Sequence, residues 1–153
     1  MKSVRLLPLL LLLTPLLAAD DSARRAAARK LDADYASLES LYRDLHTHPE
    51  LSLMEERTAG VMARELRAVG CEVTEKIGGF GVVGVLKNGP GPTVLLRTEL
   101  DALPVHEETG LAYASTVHVK NLEGDTVPVM HACGHDAHMT AFIGTARVLA
   151  ALR

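Results

Sequence analysis

The chain is short of aromatic residues and of cysteine. It has 3 Tyr, 2 Phe and no Trp, so a core must be built from Leu, Val, Ala and Ile rather than from stacked rings. Its two cysteines, Cys71 and Cys133, exclude a disulfide framework, although in an oxidising compartment the pair could still bridge. The longest apolar run, Leu6–Leu17, is interrupted by Pro8, Thr14 and Pro15. That is too short for comfortable membrane crossing, which needs about 20 apolar residues. No cysteine follows the run, so a lipid-modified cysteine is not indicated. Nor is there an excess of positive charge. The formal charge of −3 argues against nucleic acid or an anionic membrane as the main partner.

What remains describes one globular domain. A length of 153 residues supports one core and is too little for two ordinary domains. Lys2 and Arg5, the apolar run, and Ala18-Ala19 before Asp20-Asp21 have the layout of a secretory signal peptide over residues 1–19. The competing reading is an uncleaved anchor. Cleavage places the protein in the periplasm or outside the cell, away from the membrane, and removes two positive charges, which takes −3 to −5. Residues 20–30 are Ala/Arg-rich and read as a linker or a frayed helix start. The catalytic part is then 31–153.

From Leu31 the periodicity is helical. Leu31, Tyr35, Leu38, Leu41 and Leu45 lie three or four apart and share one face. His48-Pro49 ends the run. Ser52 and Glu55 have the spacing of a capping box at the head of a second helix. In that helix Met62, Leu66 and Val69 form the apolar stripe, and Gly70 is a C-terminal cap. Cys71–Ile77 and Gly81–Leu86 read as strands. Asn88–Pro92 is a strong turn, and Thr93–Leu96 reads as a buried strand forming a hairpin across it. Val117–Lys120 and Thr126–Met130 suggest a surface hairpin. A last helix is expected over 137–152, with Phe142, Ile143, Ala146 and Leu149 buried. Helices alternating with strands predict an α/β sandwich.

The chemistry is concentrated in His131–His138 (HACGHDAH). Three histidines, a cysteine and an aspartate fall within eight residues, and thiolate and imidazole suit zinc-like divalent ions. In an extended segment Cys133 and His135 point the same way, and Gly134 between them lets the backbone bend. His131, Asp136 and His138 are helpers, with Asp136 or His138 placed to orient a ligand. A Cys–His nucleophilic dyad is the alternative, but no oxyanion hole is visible and adjacent donors fit a metal better. The second constellation is Arg97–Pro104 (RTELDALP). There Glu99 and Asp101 follow a strand at i and i+2, and Asp101 could hold a metal-ligating imidazole. His46, His48, His106 and His118 stand alone and read as ordinary surface or core residues.

The segments LYRDLHTHPELS (41–52), EERT (55–58), GPGPTVLLR (89–97), LDALP (100–104), EETGLAYAS (107–115) and MHACGHDAHMT (130–140) occur in an order that resembles the hippurate hydrolase and auxin-conjugate hydrolase family of metallopeptidase-like amidohydrolases. The resemblance covers about residues 35–153. It implies a metallo-aminopeptidase-like catalytic domain: a partial three-layer sandwich with a mixed sheet, incomplete and without the lid domain. It also implies Cys133 and His135 as metal ligands, two divalent ions with Mn, Zn, Co and Ni undistinguished, and a small N-acyl amino acid as substrate. Two departures stand out. Glu99 replaces the first aspartate of the family's R-A-D-M-D-A-L-P. The family's paired glutamates, including the general base, and two further histidines are expected beyond Arg153. The expectation is an N-terminal fragment inactive alone. The competing class is a secreted non-catalytic metal-binding or interaction module.

Overall fold

The computed structural model describes residues 14–153, with side chains from Asp21 onward. The expected signal segment falls mostly on residues 1–13, outside the described residues. Helix α1 spans Thr14–Thr47. It includes residues 20–30, so this stretch is helical, the second of the two forms read for it. Ala-rich composition and same-face ion pairs at i,i+4 support its length. These are Lys30–Asp34 at 2.6 Å and Glu39–Arg43 at 2.7 Å. The helix stops just before His48-Pro49.

Helix α2 spans Glu56–Ala68. The expected capping box does not form: Ser52 is exposed, and Glu55 is itself the N-cap and makes no side-chain cap. Glu50 takes the role across the loop. Its carboxylate accepts the N–H groups of Arg57 at 3.0 Å and Thr58 at 2.7 Å, placing negative charge at the helix's positive end. The other end follows expectation. Gly70 adopts φ +86°, and Gly70 N–H to Arg67 O with Cys71 N–H to Leu66 O completes a Schellman closure.

Strands β1 (Glu72–Ile77) and β2 (Gly81–Val85) pair antiparallel. β3 (His118–Lys120) and β4 (Thr126–Pro128) form the expected surface hairpin. Helix α3 spans His135–Leu152. The class is α/β, and the sheets among the described residues are these two small antiparallel ones. Single bridges add to them: Leu51 with Ala102 in parallel, and Leu103 with Met130 antiparallel.

Thr93–Leu96 differs from expectation. It is neither a buried strand nor half of a hairpin: Val94 is 79% and Leu95 86% exposed. β2 pairs instead with β1 through the turn after Ile77, and no strand lies beside 93–96 among the described residues. An extended apolar run without a neighbour has nothing to bury against.

The main core joins Leu38, Leu41 and Leu45 of α1 to Met62 and Leu66 of α2 and Met139 and Ile143 of α3. Each fully buried side chain of this kind contributes about 1.5–3 kcal/mol. Among the side chains described from Asp21 onward, the buried apolar residues of α1 lie in its C-terminal half. Leu31 and Tyr35 are exposed, as is Leu149 on α3, against expectation. A smaller core of Leu51, Ala102 and Val129 underlies the β3–β4 side. No helix among the described residues is long and apolar enough to cross a membrane.

Candidate metal centre

Two backbone links bring the two chemical segments together. Ala102 N–H donates to Glu50 O at 2.7 Å, and Leu103 exchanges hydrogen bonds with Met130, each 3.0 Å. Residues 101–103 are thus held beside the entrance to the His131–His138 segment. That segment is not extended. Gly134 N–H bonds back to His131 O at 3.1 Å, and Gly134 at φ +75° is the N-cap of α3. A left-handed N-cap favours glycine because a Cβ would be strained there. The geometry expected for Cys133 and His135, two residues on one side of an extended chain, is therefore replaced by a turn. Cys133 is an exposed free thiol on it, and His135 is the first residue of the helix.

Three donors converge. One ligand atom each from Glu99, His135 and His138 lie within 4.8 Å of one another. His135 and His138 are three apart on α3, so they share a face, with ring centroids 5.9 Å apart. His135 Nδ1 donates to Asp101, facing its carbonyl oxygen at 2.9 Å and Oδ1 at 3.1 Å. Fixing the proton on Nδ1 leaves the Nε2 lone pair free, the usual arrangement of a ligating histidine with a carboxylate behind it. Glu99 also meets Arg97 at 3.0 Å. A cleft of about 290 Å³ opens beside the group, lined by Leu96, Arg97, Glu99, His138 and Phe142. The donor set of two imidazoles and a carboxylate is of a kind that suits a divalent ion.

A second polar cluster lies beneath. His46, isolated in sequence, is buried between two carboxylates. Its Nδ1 is 2.6 Å from Asp136 Oδ2 and its Nε2 is 3.1 Å from Glu107 Oε1. Burial opposes its charge, but the hydrogen bonds to Asp136 and Glu107 override this and raise its pKa. Burial likewise works against the Glu107 carboxylate, while bonds from Thr109, the Ser115 amide and His46 bring its pKa down. His131 is buried with no hydrogen-bond partner on either ring nitrogen, and burial lowers its pKa. His46 and Glu107 were not singled out from sequence spacing. The signal available was their place in the LYRDLHTHPELS and EETGLAYAS segments. His48, His106 and His118 are exposed.

Residues 95–153 match the peptidase family M20/M25/M40. The chain is 42% identical to a hippurate hydrolase of Campylobacter jejuni over 73% of its own length and 27% of that protein. It is 38% identical to an N-acyl-L-amino acid amidohydrolase of Geobacillus stearothermophilus, over 72% of this chain and 28% of the relative. The YXEP protein of Bacillus subtilis, described as a dinuclear metal binding peptidase of the M20 family, superposes at TM-score 0.68 with 36% identity, over 80% of this chain and 32% of its own. In sequence and fold the chain is thus similar to the M20 metallopeptidase-like hydrolases, the resemblance read from its motifs. It spans under a third of the length of these relatives.

Proposed function

We propose that this chain carries part of the metal centre of a metal-dependent amidohydrolase that cleaves the amide bond of small N-acyl amino acids. The observation that carries the reading is His135, whose Nδ1 is held by Asp101 while Glu99 and His138 converge on the same space. Cys133 joins as a ligand by the family resemblance. When bound, a divalent ion supplies Lewis-acid polarisation of the amide carbonyl. The chain's own residues do the rest of what is present here. Asp101 fixes the His135 tautomer, Glu99 and His138 complete the donor face, and the adjoining cleft admits the substrate's apolar part. The family resemblance implies that the glutamate that would take a proton lies outside these residues, and residues 1–153 alone are expected to give no turnover. Residues 1–19 direct export, with cleavage near Ala19, residues 20–30 lead into the domain as part of helix α1, and 31–153 form the start of the catalytic domain.

The test is to express the gene with whatever sequence follows codon 153 and assay hippurate hydrolysis with and without chelator. Metal-dependent turnover that His135→Ala and Cys133→Ala abolish is the expected result. Turnover indifferent to chelator and to both substitutions would overturn the reading. N-terminal sequencing of the exported protein checks the signal, and an intact Met1 there refutes cleavage.

A further inference from the structure

His135 and His138 face Glu99 only while the first turn of α3 keeps one rotation about its axis. The buried Met139 and Ile143 and the His135–Asp101 bond contribute to that rotation, and a buried polar contact adds to them. Asp136, between the two histidines, is buried and held at both oxygens. Its Oδ1 accepts the Ala137 N–H at 2.8 Å, and its Oδ2 faces His46 Nδ1 at 2.6 Å. His46 lies in the last turn of α1, and its Nε2 faces Glu107 Oε1 at 3.1 Å. Glu107 is anchored in turn by the Ser115 N–H at 2.6 Å and by the Thr109 hydroxyl. The Ser115 hydroxyl then donates to Val129 O at 2.7 Å, one residue before Met130 begins the turn into α3. Bonds from one imidazole therefore reach the donor helix directly and the approach to its N-terminus through Glu107 and Ser115.

Ionised carboxylates only accept hydrogen bonds, so both nitrogens of His46 must donate, and only the imidazolium does this. Glutamine does not span the two acceptors in the same way, because it carries both donors on one nitrogen. A wholly structural role for this buried ion cluster has little to favour it, because apolar residues of similar volume serve stability as well or better.

We propose that His46 is a positioning residue, an imidazolium clamp between Asp136 and Glu107 that fixes the first turn of α3 and so aims His135 and His138 at the metal. The proposal rests on the metal-centre reading above.

Cobalt(II) titration of the full chain, followed by its visible absorption, tests it. The wild type is expected to bind Co²⁺ saturably. His46→Gln is expected to weaken binding about tenfold or more and to change the absorption bands, as loss of a supporting residue behind a ligand does, and Glu107→Gln to weaken it about threefold. A merely structural role would lower the denaturation midpoint and leave the bands of the folded protein unaltered. If His46→Gln loses its helical circular dichroism, Glu107→Gln carries the test. A folded variant with unchanged bands and affinity within about twofold of wild type overturns the clamp alone. Absence of saturable binding in the wild type overturns the metal centre and the clamp together.

Discussion

Two histidine sites about one turn of α3 are built in opposite ways. At His135 one ring nitrogen is held by Asp101 and the other is left uncommitted, in a partly open group with Glu99 and His138. At His46 both nitrogens are committed, both partners are carboxylates, and the side chain is buried. A side chain with a spare lone pair at a cleft can take a ligand, whereas one with every valence used can only hold its neighbours in place. The difference separates residues that do chemistry from residues that aim them.

Removing the clamp gives the largest expected effect on stability. His46→Ala leaves two buried carboxylates without their shared cation and is expected to cost about 3–5 kcal/mol. His138→Ala, at an exposed donor, should cost no more than about 0.5 kcal/mol. Urea unfolding of both variants checks the contrast, and equal losses would erase the distinction between the two sites. Next comes Asp101→Ala, which should weaken divalent-ion binding about tenfold, the low end for a supporting carboxylate, because the Asp101 carbonyl oxygen still accepts from His135. Calorimetric titration would show it, and unaltered affinity would mean that Asp101 does not set the His135 tautomer.

A pH experiment sharpens the comparison further. Burial opposes charge on His46, yet its bonds to Asp136 and Glu107 raise its pKa in the fold. Its contribution is therefore complete below the unfolded value of about 6.5 and is lost as pH rises through the higher folded value. The stability gap between wild type and His46→Gln should narrow over that rise, and a gap independent of pH would contradict the charged clamp. The smallest effect belongs to the α2 cap, away from both sites. Glu50→Ala should cost about 1 kcal/mol of stability, without altering metal affinity. A neutral result would show that water replaces the carboxylate there.

Local features were legible in the sequence, and long-range ones were not. Gly70 and His48-Pro49 mark helix ends because each acts on its own backbone. The α2 N-terminus was misread because Glu50 caps amides seven and eight residues away, where Ser52 and Glu55 offered a nearer pattern. Thr93–Leu96 has the composition of a buried strand, but burial depends on a neighbour that no local pattern supplies. The HACGHDAH segment announced itself through donor density. His46 did not, since its partners are 61 and 90 residues away in the chain.

The central claim is that His135 is a metal ligand at the head of α3. The most direct measurement is the visible absorption of the full chain titrated with Co²⁺, compared with His135→Ala. Saturable d–d bands in the wild type and their loss in the variant are the predicted result. No saturable bands in the wild type, or bands that survive His135→Ala unchanged, would contradict it.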